Sequence, residues 1–132
     1  MKRSPLKRKK TRIKSYIHTA EKVLDKVFSL WIRRRDKICQ FPLRSKDDYH
    51  AGSLQNSHFY GRNARSVRWD EDNCDAICAR HHQFLEERKN AEYADWKLRQ
   101  LGQERFDALK AKYYQLKRWT EPEKVELLEK YK

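Results

Sequence analysis

Apolar residues recur at three- and four-residue steps between Ile13 and Arg35. Tyr16, Ile17, Ala20, Val23, Leu24, Val27, Phe28, Trp31 and Ile32 form one stripe of a long helix. Arg33, Arg34 and Arg35 close it, placing cations where the helix dipole is negative. From Ile38 to Ser53 the pattern dissolves into polar residues with Pro42 and Gly52, as in a loop. Leu54–Phe59 and Ser66–Trp69 read as two short strands joined by a turn containing Gly61 and Asn63. Asp72 then serves as the N-cap of a helix that turns Ala76, Ile77 and Phe84 inward. Two strands followed at once by a helix make a compact ββα unit.

Beyond Asn90 the pattern is helical again. Tyr93, Trp96, Leu98 and Leu101 lead to Gly102, a natural C-terminal stop. Phe106, Leu109, Tyr113 and Leu116 form a second stripe, and Thr120-Glu121-Pro122-Glu123 opens a last helix as a capping box with proline in its first turn. Tyr93, Trp96, Tyr113 and Trp119 stand at helical spacing and read as core. The expected fold class is α+β, mostly helical. It comprises a basic disordered arm (1–12), an N-terminal helix (13–36), a ββα core (37–90) and a helical C-terminal extension (91–132).

Charge narrows the partner. The 132 residues carry 32 Lys and Arg against 19 Asp and Glu, a formal net charge of +13. Such a balance points to a polyanion, nucleic acid before membrane. No run approaches the roughly 18 apolar residues of a membrane-spanning helix. The first residues are basic without an apolar segment, so no secretory signal is expected; this arm, with Lys9 and Lys10, reads equally as a solvated tail and as a grip on phosphates. Cys39, Cys74 and Cys78 make an odd count, which favours reduced thiols or metal ligands over disulfides and implies a cytoplasmic setting.

The chemistry concentrates between Leu54 and Glu86. Hydrolysing a phosphodiester needs a base to deprotonate water and a cation to stabilise the leaving oxygen. His58, in the first strand, is the candidate base. Asn73, at the start of the following helix, has an amide able to hold the His58 loop. His82, further along that helix, is the candidate ligand of a divalent ion, and Glu86 lies on the same helical face. Each residue alone has a plainer reading, as a core histidine, a helix-start residue or part of a solvated face; their joint order carries the nuclease reading.

Cys78 and His81, three residues apart, together with Cys39 resemble three ligands of a tetrahedral zinc site. His50 and Cys74 are the candidates for the fourth, His50 favoured because a loop can bend to complete the tetrahedron. The competing reading makes Cys39 and Cys78 small buried apolar residues. Arg62, Arg65 and Arg68 crowd the turn and second strand, either positioning phosphates or merely solvating a hairpin.

These residues resemble a known family. Leu54-Gln55-x-Ser57-His58-Phe59-x-Gly61-Arg62, Arg68-Trp69-Asp70-x-Asp72-Asn73 and Cys78-x-x-x-His82 are similar to the HNH endonucleases, and more narrowly to phage recombination nucleases of the lambda NinG (Rap) type. The resemblance covers roughly residues 13 to 110 and is most specific in its centre. It implies a ββα-metal core, with His58 as general base, Asn73 as the middle asparagine and His82 as metal ligand. The zinc ligands of the family would fall at Cys39, Pro42, Cys78 and His81. Asn56 stands where relatives often carry Cys, and Ser57 where they often carry a second metal ligand. The implied activity is a Mg- or Mn-dependent DNA endonuclease acting on branched recombination intermediates, with one structural zinc. A homodimer with two active sites would suit such a substrate. The alternatives are a non-catalytic DNA-binding zinc-knuckle module and a packaging accessory protein.

Overall fold

A computed structural model describes residues 5–88 and 91–132, with side chains for 20–87 and 91–132. Helix α1 spans Pro5–Asp36. The chain expected to be a disordered arm is therefore helical from Pro5 onward, while Lys9 and Lys10 lie outside the residues whose side chains are described. Lys37 ends α1 in the left-handed region, at φ 67°. Then follow strand β1 (Leu54–His58), short 3-10 turns at Arg65–Val67 and Glu71–Asn73, strand β2 (Cys74–Cys78), and helices α2 (Ala79–Arg88), α3 (Ala91–Leu101), α4 (Gln103–Tyr113) and α5 (Glu121–Tyr131). The described residues thus hold five α-helices and one small sheet, a mostly helical α+β arrangement.

The second strand is not where periodicity put it. Val67, which ends a 3-10 turn, and Trp69, two residues beyond, are both buried without a strand, so their alternation with polar neighbours marks none. The strand that pairs with β1 is Cys74–Cys78, antiparallel, in a register of Leu54 opposite Cys78 and His58 opposite Cys74. All five of its residues are buried, so the chain offers no polar-apolar alternation to betray it. Asp72 caps no α-helix; Asn73 ends the second 3-10 turn, and α2 starts only at Ala79.

The chain divides into two compact units, Met1–Phe28 with Trp119–Lys132, and Ser29–Arg118. In the first, Phe28 meets the Tyr131 ring edge-on at 4.8 Å, and the Lys124 ammonium lies 3.5 Å from Glu21. The α5 N-terminus carries the complete capping box expected at Thr120 and Glu123.

In the second unit, Phe41, Ile77, Leu85, Tyr93 and Trp96 form a buried cluster. Beside it lies a buried ion pair, Lys97 Nζ to Asp75 Oδ2 at 2.7 Å, with Gln100 also bonded to the carboxylate. Two residues at the end of α1 fasten β2: Asp36 accepts from the Ala76 N–H at 2.8 Å, and Arg35 donates to the Cys74 carbonyl at 2.8 Å. These bonds satisfy backbone groups on the edge of a two-stranded sheet that would otherwise lack partners.

Candidate metal centre and nuclease site

Four ligand side chains from separate segments meet at one point. Cys39 comes from the loop just past α1, His50 from the loop before β1, Cys78 from the last position of β2, and His81 from the first turn of α2. Their ligand atoms all lie within 4.8 Å of one another. His50 Nδ1 is 3.2 Å from His81 Nδ1, Cys78 Sγ is 3.4 Å from His81 Nδ1, and the Cys39–His81 and Cys78–His50 separations are 3.8 and 3.9 Å. With Zn–N near 2.0 Å and Zn–S near 2.3 Å, a tetrahedral ion sets ligand separations of about 3.3 Å between nitrogens and about 3.5 Å between nitrogen and sulfur. The Cys2His2 set fits a zinc-type ion. Cys74, the rival fourth ligand, is fully buried on the strand opposite His58 and takes no part.

Local bonding builds this arrangement. The Gln40 N–H donates to the Ala76 carbonyl at 2.9 Å, laying the Cys39 segment along β2. The Ala79 and Arg80 N–H groups, unpaired donors at the start of α2, reach the carbonyls of Ser53 and Ala51 and pin the His50 loop. Gly52 makes this approach possible: its φ is +85°, and a Cβ there would stand 2.6 Å from that of Ala79.

Behind His81 stands Asp48, which no spacing in the sequence announces. Its two carboxylate oxygens lie 2.9 and 3.0 Å from His81 Nε2. A proton on Nε2 leaves the lone pair of Nδ1 aimed into the cluster, the carboxylate–histidine arrangement that orients metal-bound imidazoles. The hydrogen bond from His81 holds the Asp48 carboxyl well below the usual carboxylate range, and the Arg44 and Tyr49 N–H groups add to it. Burial pushes the Cys39 thiol up, so a metal binding there has a tightly held proton to displace. The Phe41 ring packs 5.5 Å from His81 and 5.4 Å from Trp96, joining the knuckle to the core.

The second constellation lies at the opposite end of the sheet. His58, the last residue of β1, places Nε2 3.0 Å from the Arg68 carbonyl. Donation to that carbonyl fixes the proton of Nε2, so in the neutral ring the basic nitrogen is Nδ1. Asn73 is fully buried; its Oδ1 accepts from the Tyr60 N–H at 2.8 Å and its amide donates to the Tyr60 and Val67 carbonyls, both at 3.0 Å. It bonds both ends of the segment between Tyr60 and Val67, from a 3-10 turn instead of a helix start. His58 and Glu86 line one cleft of about 460 Å³, with Ser57, Phe59, Gly61 and Tyr93.

His82 and Glu86 are paired, Nε2 to Oε1 at 3.1 Å, and His82 Nδ1 contacts Gln55 Oε1 at 2.6 Å. Ser57, which stands where a second ligand is common in the resembling family, is buried and bonded to the Tyr93 hydroxyl at 2.7 Å. Among the described residues, the only group of three or more His, Cys, Asp or Glu ligands is the Cys39–His50–Cys78–His81 cluster. Arg65 opens the first 3-10 turn, Arg68 stacks 5.2 Å from the Trp69 ring, and Arg62 sits exposed in the loop between them and β1. They border an ordered turn, not a hairpin strand.

The family model for the bacteriophage lambda NinG protein matches residues 1–132, the whole chain. The chain belongs to the NinG family. No curated protein and no solved structure matches it. As a NinG family member it is of phage type, and no helix among its described residues is long and apolar enough to cross a membrane. Sequence reasoning missed Asp48, the Gln55 contact to His82 and the Asp75–Lys97 pair. Each works through a partner more than twenty positions away, which no local spacing reveals.

Proposed function

We propose that this NinG family protein is a metal-dependent DNA endonuclease of the HNH type, acting on branched recombination intermediates. One observation carries the reading: a histidine locked by a backbone carbonyl opens into the same cleft as a carboxylate that pairs with His82, and a buried asparagine ties the loop between them. His58 takes the proton of an attacking water at Nδ1, while the Arg68 carbonyl holds its ring in the productive tautomer. Asn73 keeps that carbonyl and the loop in place. His82 and Glu86 offer one nitrogen and one carboxylate, a donor set that suits an ion otherwise coordinated by water and phosphate oxygens. A Mg²⁺ or Mn²⁺ ion there would neutralise charge developing on the phosphate and leaving oxygen. The Cys2His2 centre, at the other end of the sheet, would hold a structural zinc that supports the fold. The basic composition and Arg62, Arg65 and Arg68 favour a polyanionic substrate.

The buried, already-bonded Ser57 favours a second reading, a DNA-binding zinc-knuckle module or packaging accessory that cuts nothing. Incubation with supercoiled plasmid and a synthetic four-way junction, with and without added Mg²⁺ or Mn²⁺, separates the two. Divalent-dependent scission supports the nuclease, and preference for the junction supports the branched substrate. Binding to both without scission under any ion supports the module.

A further inference from the structure

The end of α4 presents tyrosines that the fold does not cover. Tyr113 stacks flat on Tyr60, with ring centroids 4.1 Å apart and planes 10° from parallel, and Tyr114 meets Tyr113 edge-on at 5.0 Å. The first of these contacts is internal, yet Tyr113 remains 38% exposed and Tyr114 72% exposed. Helical spacing had marked Tyr113 as core; the α4 helix ends there, and its last turn carries the ring out of the packed layer. The backbone that presents the rings is ordered: the Tyr114 N–H donates to the Lys110 carbonyl at 3.3 Å and the Ser66 hydroxyl to the Tyr113 carbonyl at 3.4 Å.

The Tyr113 and Tyr114 rings border a groove of about 520 Å³ that also includes Asn63, Arg65, Gln115 and Lys117. No acidic residue lines it, in a chain with 19 Asp and Glu. A smaller groove between α1, β2 and α3 is of mixed charge, with Asp36, Glu71, Asp72 and Asp75 beside Arg35, Lys97 and Arg105. An aromatic floor with cations and amides at its edges is the chemistry of a surface for unpaired nucleotides: base faces stack on rings while phosphates meet the cations. A duplex hides its base faces and would use only the charges.

We propose that the Tyr113–Tyr114 groove is a stacking subsite for single-stranded DNA. The groove adjoins the cleft of His58 along the chain. Gly61 lines the cleft and Asn63 and Ala64 line the groove, with the Ala64 N–H bonded to the Gly61 carbonyl at 2.9 Å. A strand seated on the tyrosines can thus lead into the cleft, so the choice of DNA rests on the nuclease reading above.

The test is fluorescence anisotropy of a labelled 15-nucleotide thymidine oligomer and a blunt 15-base-pair duplex, with no divalent ion added. Tyr114→Ala should weaken binding of the single strand about 5- to 100-fold, the loss of one base-stacking contact. Duplex affinity should stay within about twofold, and Tyr114→Phe should behave as the parent. Tyr114→Leu, which keeps apolar bulk without a ring, replaces the alanine variant should that one lose its melting transition. Unchanged single-strand affinity, an equal loss on both DNAs, or tighter binding of the matching RNA overturns the proposal. Divalent-dependent cleavage by a parental chain that does not bind single strands would sink the groove and keep the nuclease. Tyr114-dependent single-strand binding without cleavage would do the reverse.

Discussion

Asp48→Asn isolates the carboxylate behind the metal centre. Asn is nearly isosteric, so the loop keeps its shape, but the negative charge opposite His81 is lost. Its amide must also place an N–H against donors, since Asp48 accepts from the Arg44 and Tyr49 N–H groups and lies 3.4 Å from the Arg80 guanidinium. Removing such a partner of a metal-bound histidine lowers metal affinity about 10- to 100-fold, which is about 1.4 to 2.7 kcal/mol. At saturating zinc the same amount is lost from folding stability, because metal bound only by the native state adds its binding free energy to folding. For a chain of this size that corresponds to roughly 5 to 10 °C in Tm. Competition against a chromophoric zinc chelator measures the affinity, and melting curves with and without zinc measure the stability. The Tm gap between parent and variant should be large in zinc and small in its absence. An unchanged zinc affinity, or an equal gap in both conditions, would mean that Asp48 merely anchors the loop and the reasoning fails.

Other substitutions probe separate parts. His58→Ala should slow divalent-dependent cleavage by about 100-fold or more while leaving DNA affinity nearly intact, as loss of a general base does; cleavage at the parental rate would remove His58 from the centre. Lys97→Ala strands the Asp75 carboxylate, which is 1% exposed, and should cost about 3 to 5 kcal/mol in urea unfolding; a loss below 1 kcal/mol would show that Gln100 and Arg35 suffice. Gly52→Ala places a methyl against Ala79 at a positive φ and should lower both Tm and zinc retention, read by melting and elemental analysis. Purified parent should carry about one zinc per chain, and a strong chelator should lower its Tm; a zinc-free chain melting at the same temperature would count against the Cys2His2 centre.

The candidate ligands are legible in the sequence, and local geometry less so. Cys39, His50, Cys78 and His81 could be nominated because metal ligands are few residue types and three of them fell at suggestive spacings. The helix stripes of α1, α3 and α4 were legible because each faces solvent on one side, leaving a periodic record in the chain. Strand β2 left none. Buried on both faces and only five residues long, Cys-Asp-Ala-Ile-Cys looks like the first turns of a helix capped by Asp72. Its Asp75 argues against burial until Lys97 is seen beside it. The amide of Asn73 is legible and its setting is not, since Asp72, which reads as a helix N-cap, lies inside a 3-10 turn capped by Asp70. Val67 and Trp69 misled for a related reason: a buried turn can mimic alternation over four residues.

Strand β2 is also a ruler. Cys78 at one end belongs to the metal centre, and Asn73, one residue before the other end, latches the loop beside His58. Five residues at about 3.3 Å each fix that interval near 17 Å. One residue inserted or deleted within 74–78 would put Cys78 and Asn73 out of phase with each other. Restoring the pairing at either end then misaligns the other, so no sliding of the strand rescues both. The exposed stretch from Pro42 to Asp47 has no such double obligation: the Arg44 and Ser45 bonds run to Asp48, and a residue added before them, beside Pro42 or Leu43, can bulge into solvent. Tolerance to length change should therefore fall sharply between two segments only some thirty positions apart.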